Sequence, residues 1–267
     1  MSASPVSESG AARTAVRLRG VTKVYDSGVA ALGPIDVAIA EGEFVSLLGP
    51  SGCGKSTALR LIAGLASQSS GTVDVAAASG ARPGHRIGFV FQEPTLMPWT
   101  SVRDNVGLPL TLAHVPTAEA RPRIDAALAQ VGLSDFAEAF PRELSGGMKM
   151  RASLARALVT RPDILLMDEP FAALDEITRF RLNNDLLALW RSLQMTVVFV
   201  THSVFESAYL SQRVLVMTAR PGRLSAEIRI ETDAPRDDAF RASPAYAGYC
   251  RSVSDALAPA YTGVHAL

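Results

Sequence analysis

Apolar and polar residues alternate over residues 16–25 and again over 31–40, the period of half-buried strands. A turn at Glu41-Gly42 leads into the apolar run Phe44-Val-Ser-Leu-Leu48, which reads as a buried strand. A glycine-rich stretch follows, and then helical spacing over residues 55–65. Short strands are expected at 72–75 and 86–91. From residue 93 to residue 160 strand signals fade and helical spacing takes over, most clearly at 124–131 and 147–158. Buried strands at 164–167 and 196–200 flank a helix at 177–192. Strands return at 213–217 and 224–230, before a polar tail with helical stretches. Strand–helix alternation around a helical insertion predicts an α/β core carrying an α-helical subdomain.

Composition narrows the class. With 267 residues, 48% of them hydrophobic, the chain can bury one large core. Lys+Arg and Asp+Glu both number 26, so the formal charge is zero, and neither a basic excess nor a dense basic stripe speaks for nucleic acid. The two cysteines, Cys53 and Cys250, lie far apart and in no metal-ligand spacing, which fits a reducing compartment better than a disulfide framework. Residues 1–13 are small and polar and are expected to be a disordered leader, not a signal peptide. No run approaches the roughly 18 to 20 apolar residues that span a bilayer, so a membrane process would need a partner to supply the membrane.

The glycine-rich stretch Gly49-Pro-Ser-Gly-Cys-Gly-Lys-Ser56, followed by Thr57, fits the phosphate-loop pattern G-x-x-x-x-G-K-[ST]. An apolar strand feeds it and a helix leaves it. Gly49, Pro50, Ser51, Gly52, Cys53 and Gly54 would wrap backbone amides around phosphates at a helix N-terminus. Lys55 would reach the β- and γ-phosphates, and the Ser56 hydroxyl would ligate Mg²⁺. Cys53 reads as a small filler, with a reactive thiol as the alternative. Further on, Ile164-Leu-Leu-Met-Asp-Glu-Pro170 ends an apolar strand in two carboxylates. Asp168 is placed to hold Mg²⁺, usually through water, and Glu169 to polarise a water for attack on the γ-phosphate. Alone, Asp-Glu-Pro would serve equally as a solvated turn.

Leu144-Ser-Gly-Gly-Met148 opens a helix, and in isolation could be a serine-capped helix start. Downstream of a phosphate loop and upstream of Asp168-Glu169, it resembles the signature of the ABC ATPases, over about residues 16–230. The resemblance implies a phosphate-loop NTPase core of ABC type with an antiparallel β edge, an inserted helical subdomain at about 93–160, an ATPase domain over 14–232 and a tail at 233–267. It also implies ATP and Mg²⁺ as ligands. Tyr25 matches the aromatic that stacks on adenine, with a core tyrosine as the alternative. Gln92 matches the glutamine that touches Mg²⁺ and the attacking water, and His202 the histidine on the γ-phosphate. Ala173-Leu-Asp175 matches the loop that crosses a dimer interface. Ser145, Gly146 and Gly147 would act in trans, on ATP held by a second copy, so an ATP-driven homodimer is implied.

The resemblance is to importer subunits in particular. Phe140-Pro-Arg-Glu143, the stretch Gln92-Glu-Pro-Thr-Leu-Met-Pro-Trp-Thr100 and Ala219-Arg-Pro-Gly222 are similar to the nitrate/sulfonate/taurine group, with a branch handling thiamine pyrimidine precursors as an alternative. An importer implies permease subunits, a periplasmic or extracellular solute-binding protein, and a peripheral place on the cytoplasmic side of the inner membrane. A soluble ABC ATPase unconnected with transport is the competing class, but a long heptad insertion, a basic surface and a second ATPase unit are all missing. Two departures stand out: Met150 where glutamine is common, and Ser203 where aspartate is common. Trp99 is expected either to anchor a permease helix or to pack inside the helical subdomain.

Overall fold

The computed structural model describes residues 13–75, 87–232 and 235–262. Residues 1–12 of the leader expected at 1–13, Arg86 at the start of one expected strand, and tail residues 233–234 and 263–267 lie outside the described residues. Strands β1 (Thr14–Val24), β2 (Ala30–Ala40) and β3 (Phe44–Leu48) come first, then helix α1 (Lys55–Ile62) and strands β4 (Ser70–Val75) and β5 (Ile87–Val90). Helices α2 (Val102–Leu112), α3 (Thr117–Gln130) and α4 (Gly146–Leu158) fill the stretch where strand signals fade. Strand β6 (Ile164–Asp168), helix α5 (Glu176–Leu193), strand β7 (Thr196–Thr201) and helix α6 (Val204–Leu210) alternate after it. Strands β8 (Arg213–Met217) and β9 (Leu224–Arg229) and helices α7 (Asp238–Arg241) and α8 (Pro244–Thr262) complete the described chain.

The strands form two sheets. The first is antiparallel, in the order β2-β1-β4; the second runs β5-β6-β7-β3-β8-β9, parallel except for β9. The period of two explains why the central strands read as unbroken apolar runs: each must supply side chains to two cores. On β6, Ile164 and Leu166 join Val16, Leu18 and Ile35 of the antiparallel sheet and Leu59 of α1. Leu165 and Met167 point the other way, into a cluster with Val106, Leu128, Leu154 and Leu186 from α2, α3, α4 and α5. Strand β7 splits likewise, with Val198 and Val200 on one side and Val197 and Phe199 on the other. The polar-looking tail is not free of the fold, because Val253, Leu257 and Ala260 of α8 pack on Val214 and Val216 of β8.

Local differences from the sequence reading have simple causes. Regular pairing of β5 stops at Val90 opposite Met167, one residue before the expected end. Phe91 turns outward, 38% exposed, and stacks on Phe89 with ring centroids 4.3 Å apart. The loop that follows is pinned from within by Asn105, fully buried on α2. Its side chain accepts from the Met97 amide at 2.7 Å and donates to the carbonyls of Met97, Thr100 and Ser101. Trp99 rides on that loop at 73% exposure, which excludes the reading that it packs inside the helices.

Leu166 is fully buried between the two sheets, two residues before the carboxylate pair. Leu166→Ala should therefore lower the unfolding free energy by about 2–5 kcal/mol, measured by urea denaturation. A loss below about 1 kcal/mol would contradict a close-packed interface there.

Candidate nucleotide site

The carboxyl ends of β6, β7 and β3 lie side by side, with Asp168 paired to Val200 and Leu48 to Thr201. Such an edge is where open parallel sheets carry their ligands. Beyond β3 the chain turns through a tight loop that needs glycine at two positions: Gly52 has φ +74 and Gly54 φ +98. A Cβ on Gly54 would also fall 2.5 Å from Leu32 Cδ2. Lys55, 4% exposed, begins α1 and folds its side chain into the crook of the loop. Its Nζ donates to the carbonyls of Gly49 at 2.8 Å and Pro50 at 3.0 Å, and lies 3.8 Å from Glu169 Oε1. A buried ammonium needs such partners, and these are the groups a bound phosphate would replace.

The loop is also braced from outside. Arg220 Nε donates to the Gly52 carbonyl at 2.9 Å. A Cβ on Gly222 would fall 1.8 Å from the Cys53 carbonyl oxygen, so only glycine fits there. The segment Ala219-Arg-Pro-Gly222, picked out in the sequence by resemblance alone, is thus a wall of the phosphate loop. Cys53 is 1% exposed, and burial pushes its thiol up although Lys55 pulls the other way. It is a filler, and the reactive-thiol reading has no support.

Ser56 Oγ donates to Asp168 Oδ1 at 2.8 Å, bringing helix α1 and strand β6 together. Burial raises the Asp168 carboxyl, and the bond from Ser56 opposes that shift. Two hard oxygens side by side at the mouth of the loop suit Mg²⁺, which prefers a few protein oxygens and keeps waters. The Tyr25 hydroxyl lies 3.2 Å from Thr57 Oγ1, and Lys23 Nζ stands 5.1 Å from its ring centroid. At 37% exposure Tyr25 is a surface aromatic beside the loop, not a core residue.

Glu169 adopts φ +46, a left-handed conformation that costs a residue with a Cβ of order 1–3 kcal/mol. Its amide donates to the Val200 carbonyl at 3.0 Å, which holds the turn against β7. Glu169 Oε2 lies 3.2 Å from His202 Nδ1, so Lys55, Glu169 and His202 stand in a row. The His202 side chain is half exposed and open to a ligand. Gln92 follows β5, the neighbour of β6, and is exposed; no described hydrogen bond joins it to Ser56, Asp168 or Glu169.

Ser145 caps α4 by accepting from the Met148 amide at 3.3 Å. Ser145 and Gly146 are exposed, and none of the described hydrogen bonds or ion pairs links residues 145–147 to the phosphate loop of the same chain. A Cβ on Gly147 would meet Thr178 Cγ2 at 2.8 Å, so the α4 start is pressed against the start of α5. Met150 faces inward at 3% exposure, so this departure alters packing within the chain and not a surface. Ser203 caps α6 by accepting from the Glu206 amide, the work that aspartate also does at such a position. Sequence reasoning missed Arg156, which reaches from α4 to the carbonyls of Pro94 and Thr95, each at 2.8 Å. One arginine among several on a helix carries no signal of a partner sixty residues away.

This arrangement is that of a phosphate-loop ATPase with a signature helix, and comparison with known proteins agrees. Residues 32–172 match the family model described as ABC transporter. The chain belongs to that family, as an ATP-binding subunit that hydrolyses ATP. A Brucella abortus protein named for ATP binding alone is 48% identical over 82% of this chain and 85% of its own length. The aliphatic sulfonates import ATP-binding protein SsuB 2 of Burkholderia cenocepacia is 42% identical over 96% of this chain and 93% of its own. Among solved structures, the dimeric post-hydrolysis ATP-binding cassette MJ0796 with ADP and Pi superposes with a TM-score of 0.70. It is 34% identical and covers 81% of this chain and 99% of its own.

Cys53 is enclosed by its own loop while Cys250 is partly exposed. Under native conditions iodoacetamide should label Cys250 well before Cys53, followed by peptide mass spectrometry. Equal rates would show that the phosphate loop opens freely.

Proposed function

We propose that this protein powers an importer of the nitrate/sulfonate/taurine class, binding ATP and Mg²⁺ at the β3–β6–β7 edge and moving a separate permease. The meeting of Lys55, Asp168, Glu169 and His202 at that edge carries the ATPase part of the reading. The importer part is supported by the sulfonate-import relative, alignable over nearly the whole chain. No described helix is long and apolar enough to cross a membrane; in this reading a permease holds the subunit on the cytoplasmic side of the inner membrane. We assign residues 14–232 to the ATPase domain, with the helical subdomain at about 93–160 and the tail at 233–267.

In this reading the amides of residues 49–54 and Lys55 hold the β- and γ-phosphates, and Tyr25 stacks on the adenine. Ser56 and Asp168, joined by Gln92, would hold Mg²⁺, which would neutralise charge on the phosphate oxygens. Glu169 takes the proton of the attacking water, and its left-handed backbone aims the carboxylate across the loop mouth. His202 donates to the γ-phosphate and holds Glu169 from the side away from Lys55. Because Ser145, Gly146 and Gly147 do not engage their own loop, they meet ATP on a second copy, at a capped helix start suited to phosphate. The dimeric state of the MJ0796 cassette supports this arrangement. A solute-binding protein delivers the substrate outside the membrane.

Glu169→Gln keeps the side chain's shape, so ATP should bind while turnover falls by roughly 10² or more. ATP should then trap a dimer visible by size-exclusion chromatography, and near-normal turnover would remove Glu169 from the mechanism. Lys55→Ala should weaken both labelled-ATP binding and hydrolysis; unchanged values would contradict the phosphate-loop assignment.

The exposed cluster around Trp99 is proposed to receive the permease, with tryptophan as the interface anchor. Trp99→Ala should leave the isolated subunit's stability within about 0.5 kcal/mol and its basal ATPase intact. Binding to the permease and transport in reconstituted vesicles should drop. Full transport by this variant would move the docking surface elsewhere.

A further inference from the structure

A buried carboxylate next to His202 has no part in the mechanism above. Glu206, 6% exposed, closes a ring of hydrogen bonds around the histidine backbone. Its Oε2 accepts from Thr201 Oγ1 at 2.5 Å; Thr201 Oγ1 in turn accepts from the Ser203 amide at 3.0 Å; and Ser203 Oγ accepts from the Glu206 amide at 3.2 Å. The residues on both sides of His202 are therefore tied to Glu206, Thr201 through its carboxylate and Ser203 through its amide.

The other oxygen of Glu206 faces α5. Arg179 Nε stands 3.5 Å from Glu206 Oε1, buried and without a hydrogen-bond partner, while Arg179 Nη2 donates to the Leu174 carbonyl at 3.0 Å. Leu174 belongs to the loop between Glu169 and α5, and its Cδ2 would lie 3.4 Å from a Cβ on Gly146. Thr178, one residue before Arg179, abuts Gly147. The start of α4, the Leu174 loop, Arg179, Glu206 and the His202 turn thus form one contiguous path.

We propose that Arg179 and Glu206 are positioning residues for hydrolysis, coupling movement of the Leu174 loop and the α4 start to the placement of His202 against Glu169. The orphan Arg179 Nε is the adjustable joint. A shift of the Leu174 loop that carries Arg179 a few tenths of an ångström toward Glu206 completes the hydrogen bond and tightens the ring. A shift the other way leaves the carboxylate with Thr201 alone. Burial pushes the Glu206 carboxyl up; Thr201, Arg179 and His202 pull it down, and the neighbouring Glu169 charge adds to the upward push. Its ionised form thus leans on Arg179, which makes the pair sensitive to where the loop sits.

The inference rests on the reading of His202 and Glu169 as the hydrolytic pair, so His202→Ala is measured alongside. In the full-length protein, Glu206→Gln and Arg179→Lys should each lower kcat for ATP about ten- to a hundredfold, the cost of a small misplacement of a catalytic group. KM for ATP should stay within about twofold, and because the two residues act as a unit, the double variant should be no slower than the slower single. Thermal melts identify any variant that fails to fold; Arg179→Lys, which keeps the charge, carries the test if Glu206→Gln does. Unchanged kcat in the folded variants, a rise in KM equal to the loss in kcat, or losses that multiply in the double variant would overturn the proposal. If His202→Ala itself hydrolyses ATP normally, the assignment of His202 fails instead.

Discussion

Everything in the site depends on the order in which the parallel strands pair. Only because β6, β7 and β3 are neighbours do their carboxyl ends deliver Asp168 and Glu169, His202, and the Lys55 loop to one edge. The Lys55 loop lies more than a hundred residues from the other groups and His202 lies 33 residues beyond Glu169, so no local interaction could bring them together. Pairing of apolar strands with side chains buried on both faces supplies that constraint, and it does so away from the chemistry. The charged groups can then be arranged for phosphate without having to stabilise the fold.

The geometry bears marks of that division. Lys55 is a buried cation satisfied mostly by carbonyl oxygens, which interact more weakly with it than phosphates would. Glu169 stands in a backbone conformation unfavourable for its residue type, held by β7 through one hydrogen bond. Strain of this sort is found where a side chain must be aimed, and here it lies at the residue proposed to activate water. The phosphate loop itself is braced from a distant segment by Arg220 and by the close approach of Gly222 to Cys53.

Two polar anchors, each built on a buried side chain, Asn105 in one and Glu206 in the other, lie beside this edge. Asn105 and Arg156 fix the loop from Pro94 to Ser101, which carries Trp99 in solvent, and Arg156 joins that loop to α4. Arg179 and Glu206 tie the Leu174 loop to the turn that carries His202. Both anchors use side-chain bonds to backbone carbonyls or hydroxyls, and the second adds the Arg179–Glu206 ion pair. Such bonds set position at little net stability.

The sequence by itself determined the strand periods, the phosphate loop, the carboxylates at the end of β6 and the capped start of α4. Each of these is local: alternation, glycine spacing and a capping serine act within one element. It also left Trp99 and Tyr25 open between core and surface, because an aromatic residue carries no mark of which side it faces. The tertiary structure decided both for the surface. Only the fold showed that Met150 is core, that Cys53 is sealed, and that Ala219-Arg-Pro-Gly222 walls the phosphate loop. It alone paired Arg156 with Thr95 and Arg179 with Glu206, since a contact across many residues depends on packing between elements and leaves no pattern along a single chain.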